Sequence, residues 1–317
     1  VFITGLWYPL GMPAADQMER TFNMEFIPAK TIISGYSEGN LWFGDNYNMN
    51  IYKGCCHGCI YCDSRSECYR IDDFDQVRAK DNALALIGRE LRGKRRKGVV
   101  GTGAMSDPYN LYEQEYRLTR GALELIDANG FGASIATKSD LVTRDIDVLS
   151  SIKTHSPVLV KITVTTADDE LCRKVEPRAP VASRRFSAIR QLAARGIFTG
   201  ILLMPVLPFI EDKEENVVSI VRLAGEAGAR FIYPSFGVTL RQNQREWYYS
   251  KLDEHFPGLR QKYVKQFGNA YECPSPKAKE LWQVFRAECD RLGILHEMED
   301  IIEAYRKPYR MNQLSLF

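Results

Sequence analysis

Residues 53–62 read KGCCHGCIYC, four cysteines and a histidine in ten residues. Three of the cysteines, Cys55, Cys59 and Cys62, fall in a C-x3-C-x2-C spacing directly after a strand-like stretch at 48–52. Thiolates are soft ligands, suited to zinc or to iron–sulfur clusters. A loop this short can wrap three corners of a compact four-iron cluster, leaving one iron open to a ligand from outside the chain. Structural zinc is the competing reading, and it wants four ligands, usually as two separated pairs. Cys56, His57 or Cys68 would have to supply the fourth, because the sequence holds no distant second pair. Adjacent cysteines do not readily aim at one small cluster. Cys56 is therefore expected to pack, and His57 to be a loop residue or a hydrogen-bond donor to cluster sulfur.

Outward from this loop the chain alternates between strand and helix. Strands are expected at 48–52, 98–103, 132–137, 158–164, 197–206 and 230–236, and helices over 75–96, 113–129, 143–154, 181–195 and 213–227. In the second helix Leu118, Ala122, Leu125 and Ile126 fall at i, i+4, i+7 and i+8, one apolar stripe. Six strands, most followed by a helix, imply parallel βαβ units in an α/β fold, either a partial barrel or a doubly wound sheet. From Gln242 onward the pattern is helical, including 275–291 and 297–305, and this part is expected to cover the barrel. The expected division is an irregular, aromatic-rich segment 1–46, a barrel 47–240, a helical C-terminal extension 241–308 and a tail 309–317.

The chain has 317 residues, 45% hydrophobic and 26% charged, a globular rather than disordered composition with room for one large α/β domain or two ordinary ones. A net charge of +2 neither demands nor excludes a nucleic-acid partner. No apolar run approaches the length of a membrane span, so no membrane association is expected. The opening VFITGLWYPLGMPAADQMER lacks the basic start and long apolar stretch of a signal peptide, and a cytoplasmic location is expected. Of eight cysteines, five lie within residues 55–68, whereas a disulfide scaffold would distribute them along a short secreted chain.

The C-x3-C-x2-C spacing with an aromatic residue, Tyr61, before the last cysteine resembles the signature of the radical S-adenosylmethionine (radical SAM) superfamily. Six separated stretches, FIPAKTIISGY, NIYKGCCHGCIYC, GTGAMSDPYNLYE, IATKSDLVTRDIDVL, ITVTTADDELCRKVEPRAP and GILLMPVLP, resemble in order the spore photoproduct lyase-like branch, also described as DNA repair photolyase-like. The resemblance implies a partial (β/α)6 barrel. It also implies a [4Fe-4S] cluster on Cys55, Cys59 and Cys62 whose open iron binds the amino and carboxylate groups of SAM. One electron from the cluster then cleaves SAM to methionine and a 5′-deoxyadenosyl radical, which abstracts hydrogen from substrate. A flavodoxin- or ferredoxin-type electron donor and a DNA substrate are implied as well.

Other residues stand where such a site would form. Ser106 and Asp107 follow the second strand, at the C-terminal end where barrel active sites lie. By resemblance Ser106 contacts SAM; a helix N-cap or turn at Asp107-Pro108 is the alternative. Lys138 ends the third strand and could bind the SAM carboxylate or a substrate phosphate, or be a solvated strand end. Arg178 could hold a carboxylate as a bidentate fork, unless Glu176 pairs with it. Thr163 and Thr165 alternate on the fourth strand and should share a face. The basic run RGKRRKG at 92–98 reads as a helix C-terminus complementing the macrodipole, and Arg184, Arg185 and Arg190 as a solvated helical face. Two departures bear on the reaction. Ala104 stands where spore photoproduct lyase has a cysteine, and Asp63 where it has a tyrosine. Cys273, in NAYECPSP, is the candidate to return hydrogen in place of the missing cysteine, against the commoner fate of a buried packing thiol.

The chain ends QLSLF, which resembles the peptide that docks bacterial repair proteins and polymerases on the sliding clamp. Gln313 would supply hydrogen bonds, and Leu314, Leu316 and Phe317 would fill apolar pockets. The alternative is a tail packed on its own domain. The leading expectation is a radical SAM enzyme acting on DNA. The alternatives are radical SAM modification of RNA or peptide, and a non-enzymatic zinc-binding clamp adaptor.

Overall fold

The computed structural model describes residues 24–36, 42–103 and 105–310, without the side chain of Arg310. Ala104, the earlier parts of the N-terminal segment, and the clamp-like tail with Gln313, Leu314, Leu316 and Phe317 lie outside the described residues.

Short strands β1 (Glu25–Ile27) and β2 (Ile33–Gly35) precede β3 (Tyr47–Met49) and β4 (Tyr52–Lys53). After the cysteine loop come two single-turn 3-10 helices, then β5 (Arg78–Lys80), α1 (Ala83–Gly93), β6 (Val99–Thr102), α2 (Glu113–Tyr116) and α3 (Leu118–Ala128). The alternation continues with β7 (Gly132–Thr137), α4 (Ile146–Lys153), β8 (Val158–Thr163), α5 (Asp169–Val175), α6 (Ala182–Ala194), β9 (Phe198–Leu203), α7 (Glu214–Glu226) and β10 (Phe231–Pro234). The C-terminal part holds β11 (Gly237–Thr239), α8 (Gln244–His255), α9 (Leu259–Phe267), β12 (Glu272–Pro274), α10 (Ala278–Leu292) and α11 (Met298–Arg310).

The main sheet has the order β10-β9-β8-β7-β6-β3-β2. Its six strands from β3 to β10 are all parallel, with β2 added antiparallel at one edge. These are the six strands expected from the sequence, in consecutive order. The α/β class and the strand count of a partial (β/α)6 architecture are therefore observed. The central strand β8, VLVKIT, is buried at every position, as expected of a parallel strand covered on both faces. Lys161 is its one charged residue. Its Nζ donates to Ser134 Oγ at 2.7 Å and lies 3.5 Å from Asp45 Oδ2, over the Phe43 ring.

Three expectations are corrected. The helix expected over 75–96 begins only at Ala83, because residues 78–80 form β5, with buried Ala79 paired to Phe26 of β1 and Tyr52 of β4. The helix expected over 113–129 breaks at Arg117, whose φ is 50°. There the buried Glu113 carboxylate accepts from the Thr119 and Arg120 amides and so caps α3. The part after Gln242 is not wholly helical, since β12 pairs antiparallel with β11, Val238 opposite Cys273.

α11 covers the end of the sheet where the strands begin. Ile301 and Tyr305 join Phe43, Val99, Leu159 and Phe231 in one apolar cluster, and Tyr305 Oη donates to the Phe43 carbonyl at 2.6 Å. The basic run lies at this same end, with Lys94 over Tyr47 and Lys97 over Phe131. The opposite end, where the strands finish, carries the cysteine loop. No helix among the described residues is long and apolar enough to cross a membrane.

Candidate active site at the strand ends

The cysteine loop is pinned by backbone bonds on both sides. Cys55 N donates to Phe74 O at 2.9 Å, Ile60 N to Val175 O at 3.0 Å, and Arg178 N to His57 O at 3.0 Å. Gly54 turns the chain with φ 82°, and a Cβ there would stand 2.6 Å from Gln76 O and 2.7 Å from Phe74 O. Only glycine fits. Beyond the loop, the Arg65 guanidinium is stacked between Phe74 and Trp247, 4.8 and 4.0 Å from the ring centroids, fastening the loop to α8.

Cys55, Cys59 and Cys62 all line one cavity of about 150 Å³, together with His57, Ser106, Asp107 and Lys138. Cys56 is absent from that lining and packs in the main apolar core. Burial, with Asp107 beside it, pushes the Cys55 thiol up to about 12. Burial also raises Cys59 and Cys62. Such thiols keep their protons until a cationic centre displaces them. Among the described residues no three His, Cys, Asp or Glu side chains draw together around a single ion. Three thiols spread around one small cavity, Cys55 and Cys59 buried and Cys62 partly exposed, suit the separate corners of a cluster better than the closed tetrahedron of structural zinc.

A larger cavity of about 610 Å³ lies against the first. The two share Cys62, Ser64, Gly103, Lys138, Thr163 and Leu202. Four of these stand at or just beyond the ends of β6, β7, β8 and β9. Gly103, at φ 96°, brings its backbone so close to β7 that a Cβ would lie 2.0 Å from Ala136 O.

A family model for the radical SAM superfamily matches residues 49–221, from β3 to the middle of α7. The chain belongs to the radical SAM superfamily. Members use a [4Fe-4S] cluster and S-adenosylmethionine, and the thiol set of this radical SAM chain fits the cluster. An uncharacterised protein of Mycobacterium tuberculosis (H37Rv) is 33% identical over 242 residues, 74% of this chain and 71% of the relative. Among solved structures, spore photoproduct lyase complexed with dinucleoside spore photoproduct superposes with a TM-score of 0.62 at 15% identity, over 85% of this chain and 80% of that one. A mutant of the same lyase with bound AdoMet and dinucleoside spore photoproduct gives 0.60 at 15% identity, over 81% and 79%. These structures share the fold.

Around these two cavities, the residues singled out in the sequence fare differently. Ser106 lines the smaller cavity and donates from Oγ to the Gly54 carbonyl at 2.5 Å. Asp107 starts no helix; the next one begins at Glu113. Its carboxylate accepts from Thr137 Oγ1 at 2.6 Å, the Lys138 amide at 2.7 Å and the Tyr109 amide at 2.9 Å, with His57 Nε2 3.1 Å away. Burial alone would raise this carboxyl, but His57, Thr137 and the Lys138 amide hold it well below the usual carboxylate range. Lys138 and Thr163 line both cavities. Burial would lower the Lys138 ammonium, yet Cys59 as a thiolate and the Glu176 carboxylate hold it above the ordinary lysine value. Thr165, expected on the same face as Thr163, instead donates to Glu211 Oε1 at 2.7 Å. Tyr61 lines the larger cavity and spends its hydroxyl on Glu176.

Arg178 lines neither cavity, although its amide is bonded to the cysteine loop. It is half-exposed and ion-paired to Asp75 at 2.6 Å, not to Glu176. Glu176 belongs to Arg185, at 2.5 Å, with both side chains buried. The reading of Arg185 as solvated is thereby corrected. A signal for this was present, since Arg185 falls on the apolar stripe of α6 with Ala182, Ala188, Ile189 and Leu192. Cys273 lies in the wall of the larger cavity, its thiol donating to Ala270 O at 3.6 Å. Asp63 accepts from Tyr69 Oη at 3.0 Å and pairs with Arg241 at 3.1 Å, a network that sequence spacing gave no means of finding.

Proposed function

We propose that this radical SAM enzyme acts on DNA, as a lyase-like repairer of a base lesion. The observation that carries the reading is the common wall of the two cavities: the residues that would face the cluster from one side face an 18-residue-lined, 610 Å³ chamber from the other. Cys55, Cys59 and Cys62 would hold the [4Fe-4S] cluster, and Ser106, Lys138 and Thr163 would position SAM beside it. When bound, the reduced cluster and SAM supply one-electron cleavage to methionine and a 5′-deoxyadenosyl radical. Lys138 contributes a fixed positive charge between the cavities. Pinning of Ser106 to the Gly54 carbonyl keeps the loop in register with β6. The larger chamber then takes the substrate nucleotide. The dinucleoside held by the lyase of shared fold supports a nucleic-acid substrate. Ala104 and Asp63 argue for a lesion other than spore photoproduct; in this chain the Asp63 carboxylate is committed to Tyr69 and Arg241. Cys273 is the candidate for returning hydrogen to the substrate radical, and Cys273→Ala is expected to keep SAM cleavage while altering the product.

The test is anaerobic incubation with SAM, a reductant and ultraviolet-damaged DNA, followed by mass spectrometry of the nucleosides. A SAM-dependent change in a damaged nucleoside is expected. SAM cleavage that changes RNA or peptide but no DNA nucleoside would overturn the substrate assignment. Anaerobically purified protein holding zinc, without iron and sulfide, would overturn the enzyme. The clamp-like residues 313–317 add a partner to this reading, and their removal is expected to abolish capture by purified bacterial clamp while leaving bound iron unchanged.

A further inference from the structure

We propose that Tyr271 and Arg241 form a stacking platform for the nucleobase that flanks the nucleotide in the larger cavity; this rests on the nucleic-acid reading above. The ribbon of β11 and β12 walls that cavity through Val238, Thr239 and Glu272. One pair further along the ribbon, Leu240 N donates to Tyr271 O at 2.8 Å. Tyr271 therefore stands at the cavity rim, and its side chain is 45% exposed. The Arg241 guanidinium lies 4.9 Å from the centroid of its ring, and Nη2 donates to its hydroxyl at 2.9 Å. Nε of the same arginine is held by Asp63 at 3.1 Å. Ring and guanidinium are thus fixed against each other at the rim before any ligand arrives, which lowers the entropy lost on binding.

A lone exposed tyrosine is ordinary on a protein surface. Here a second concavity opens on the other side of Arg241, lined by Ser66, Glu67, Cys68, Arg70, Arg241 and Gln242. Arg241 is already paired with Asp63, so Arg70 is the cation of this hollow that a phosphate would meet. The sequence of features is a chamber that takes one nucleotide, an aromatic ring with a cation beside it at the rim, and a hollow holding Arg70 beyond. A strand with unstacked bases meets those three in order: a base in the chamber, its neighbour on the ring, and the intervening backbone toward Arg70. Any base has a face that stacks, so the platform should be tolerant of sequence.

The test uses the full chain with its cluster and a single-stranded DNA oligonucleotide carrying 2-aminopurine beside an abasic-site analogue, with a fluorescein-labelled copy for anisotropy. Tyr271→Ala is expected to weaken binding roughly 5- to 100-fold and to relieve the 2-aminopurine quenching seen with the native chain. Tyr271→Phe, which keeps the ring and loses the Arg241 bond, is expected to restore both. Native-like affinity and quenching in Tyr271→Ala, with iron content unchanged, would overturn the platform and leave the DNA reading standing. Failure of the native chain to bind any oligonucleotide would overturn both.

Discussion

Glu176 and Arg185 form a buried ion pair at 2.5 Å across the turn between α5 and α6, and the same carboxylate accepts the hydroxyl of Tyr61, the neighbour of Cys62. A crossover helix and the cysteine loop are thereby held by one side chain. Arg185 also donates to Thr163 O at 2.9 Å, at the end of β8. The pair supports the floor of the site without touching either cavity.

Removing one partner leaves the other charge buried. Arg185→Met alone should cost about 3–5 kcal/mol in denaturant unfolding and should reduce bound iron, because Tyr61 loses a fixed acceptor. The double variant Arg185→Met, Glu176→Gln should recover much of that stability. A single variant as stable as the native chain would show that the pair supports nothing.

Alanine at Cys55, Cys59 or Cys62 should abolish the iron and sulfide content of anaerobically purified protein. Cys56→Ala should retain both, at a modest cost for the core space it vacates. Iron lost from Cys56→Ala but kept in Cys55→Ala would reverse the assignment.

Gly103→Ala should cost about 1–3 kcal/mol or more, since it combines a positive φ with a methyl group driven against the Ala136 carbonyl. Because Gly103 lines both cavities, SAM binding measured by calorimetry should weaken together with the thermal midpoint. An alanine variant with native stability and native SAM affinity would show that β6 and β7 can part without consequence.

Burial pushes the Glu211 carboxyl up to about 8, against the Leu207 amide and the Thr165 hydroxyl that hold it down, with Glu176 adding to the rise. A carboxyl raised on folding favours the native state fully below its unfolded pKa, near 4.3, and loses that contribution as pH rises through the folded value. Native-chain stability should therefore fall between about pH 5 and pH 8 relative to Glu211→Gln, by roughly 2–4 kcal/mol. Urea midpoints of the two proteins that run parallel across this range would count against a protonated Glu211.

The six parallel strands were legible because each is a short apolar run between turn residues, and strand type depends on that local pattern. The three thiols that share a cavity were legible because their ligand spacing lies within one loop. What escaped was long-range. β5 looks like the start of α1 until β1 and β4 supply partners. Arg178 lies two residues from Glu176, but the acid turns to Arg185, which only the fold of α6 brings near. β12 is three residues in a helical stretch, and nothing local marks it except that β11, more than thirty residues earlier, needs an edge.

The clasp between α11 and the Phe43 segment has a consequence for how the protein is made. Tyr305 and Phe43 are 262 residues apart in sequence. On a ribosome the strands emerge in pairing order and can assemble as they appear, while Phe43 and Phe231 wait for a cover that follows β10 by more than sixty residues. Until then an aromatic surface faces the surroundings, an opening for aggregation of the nascent chain. A stall before Met298 is added should leave a chain that chaperones hold, whereas one whose α11 has cleared the exit tunnel should release itself.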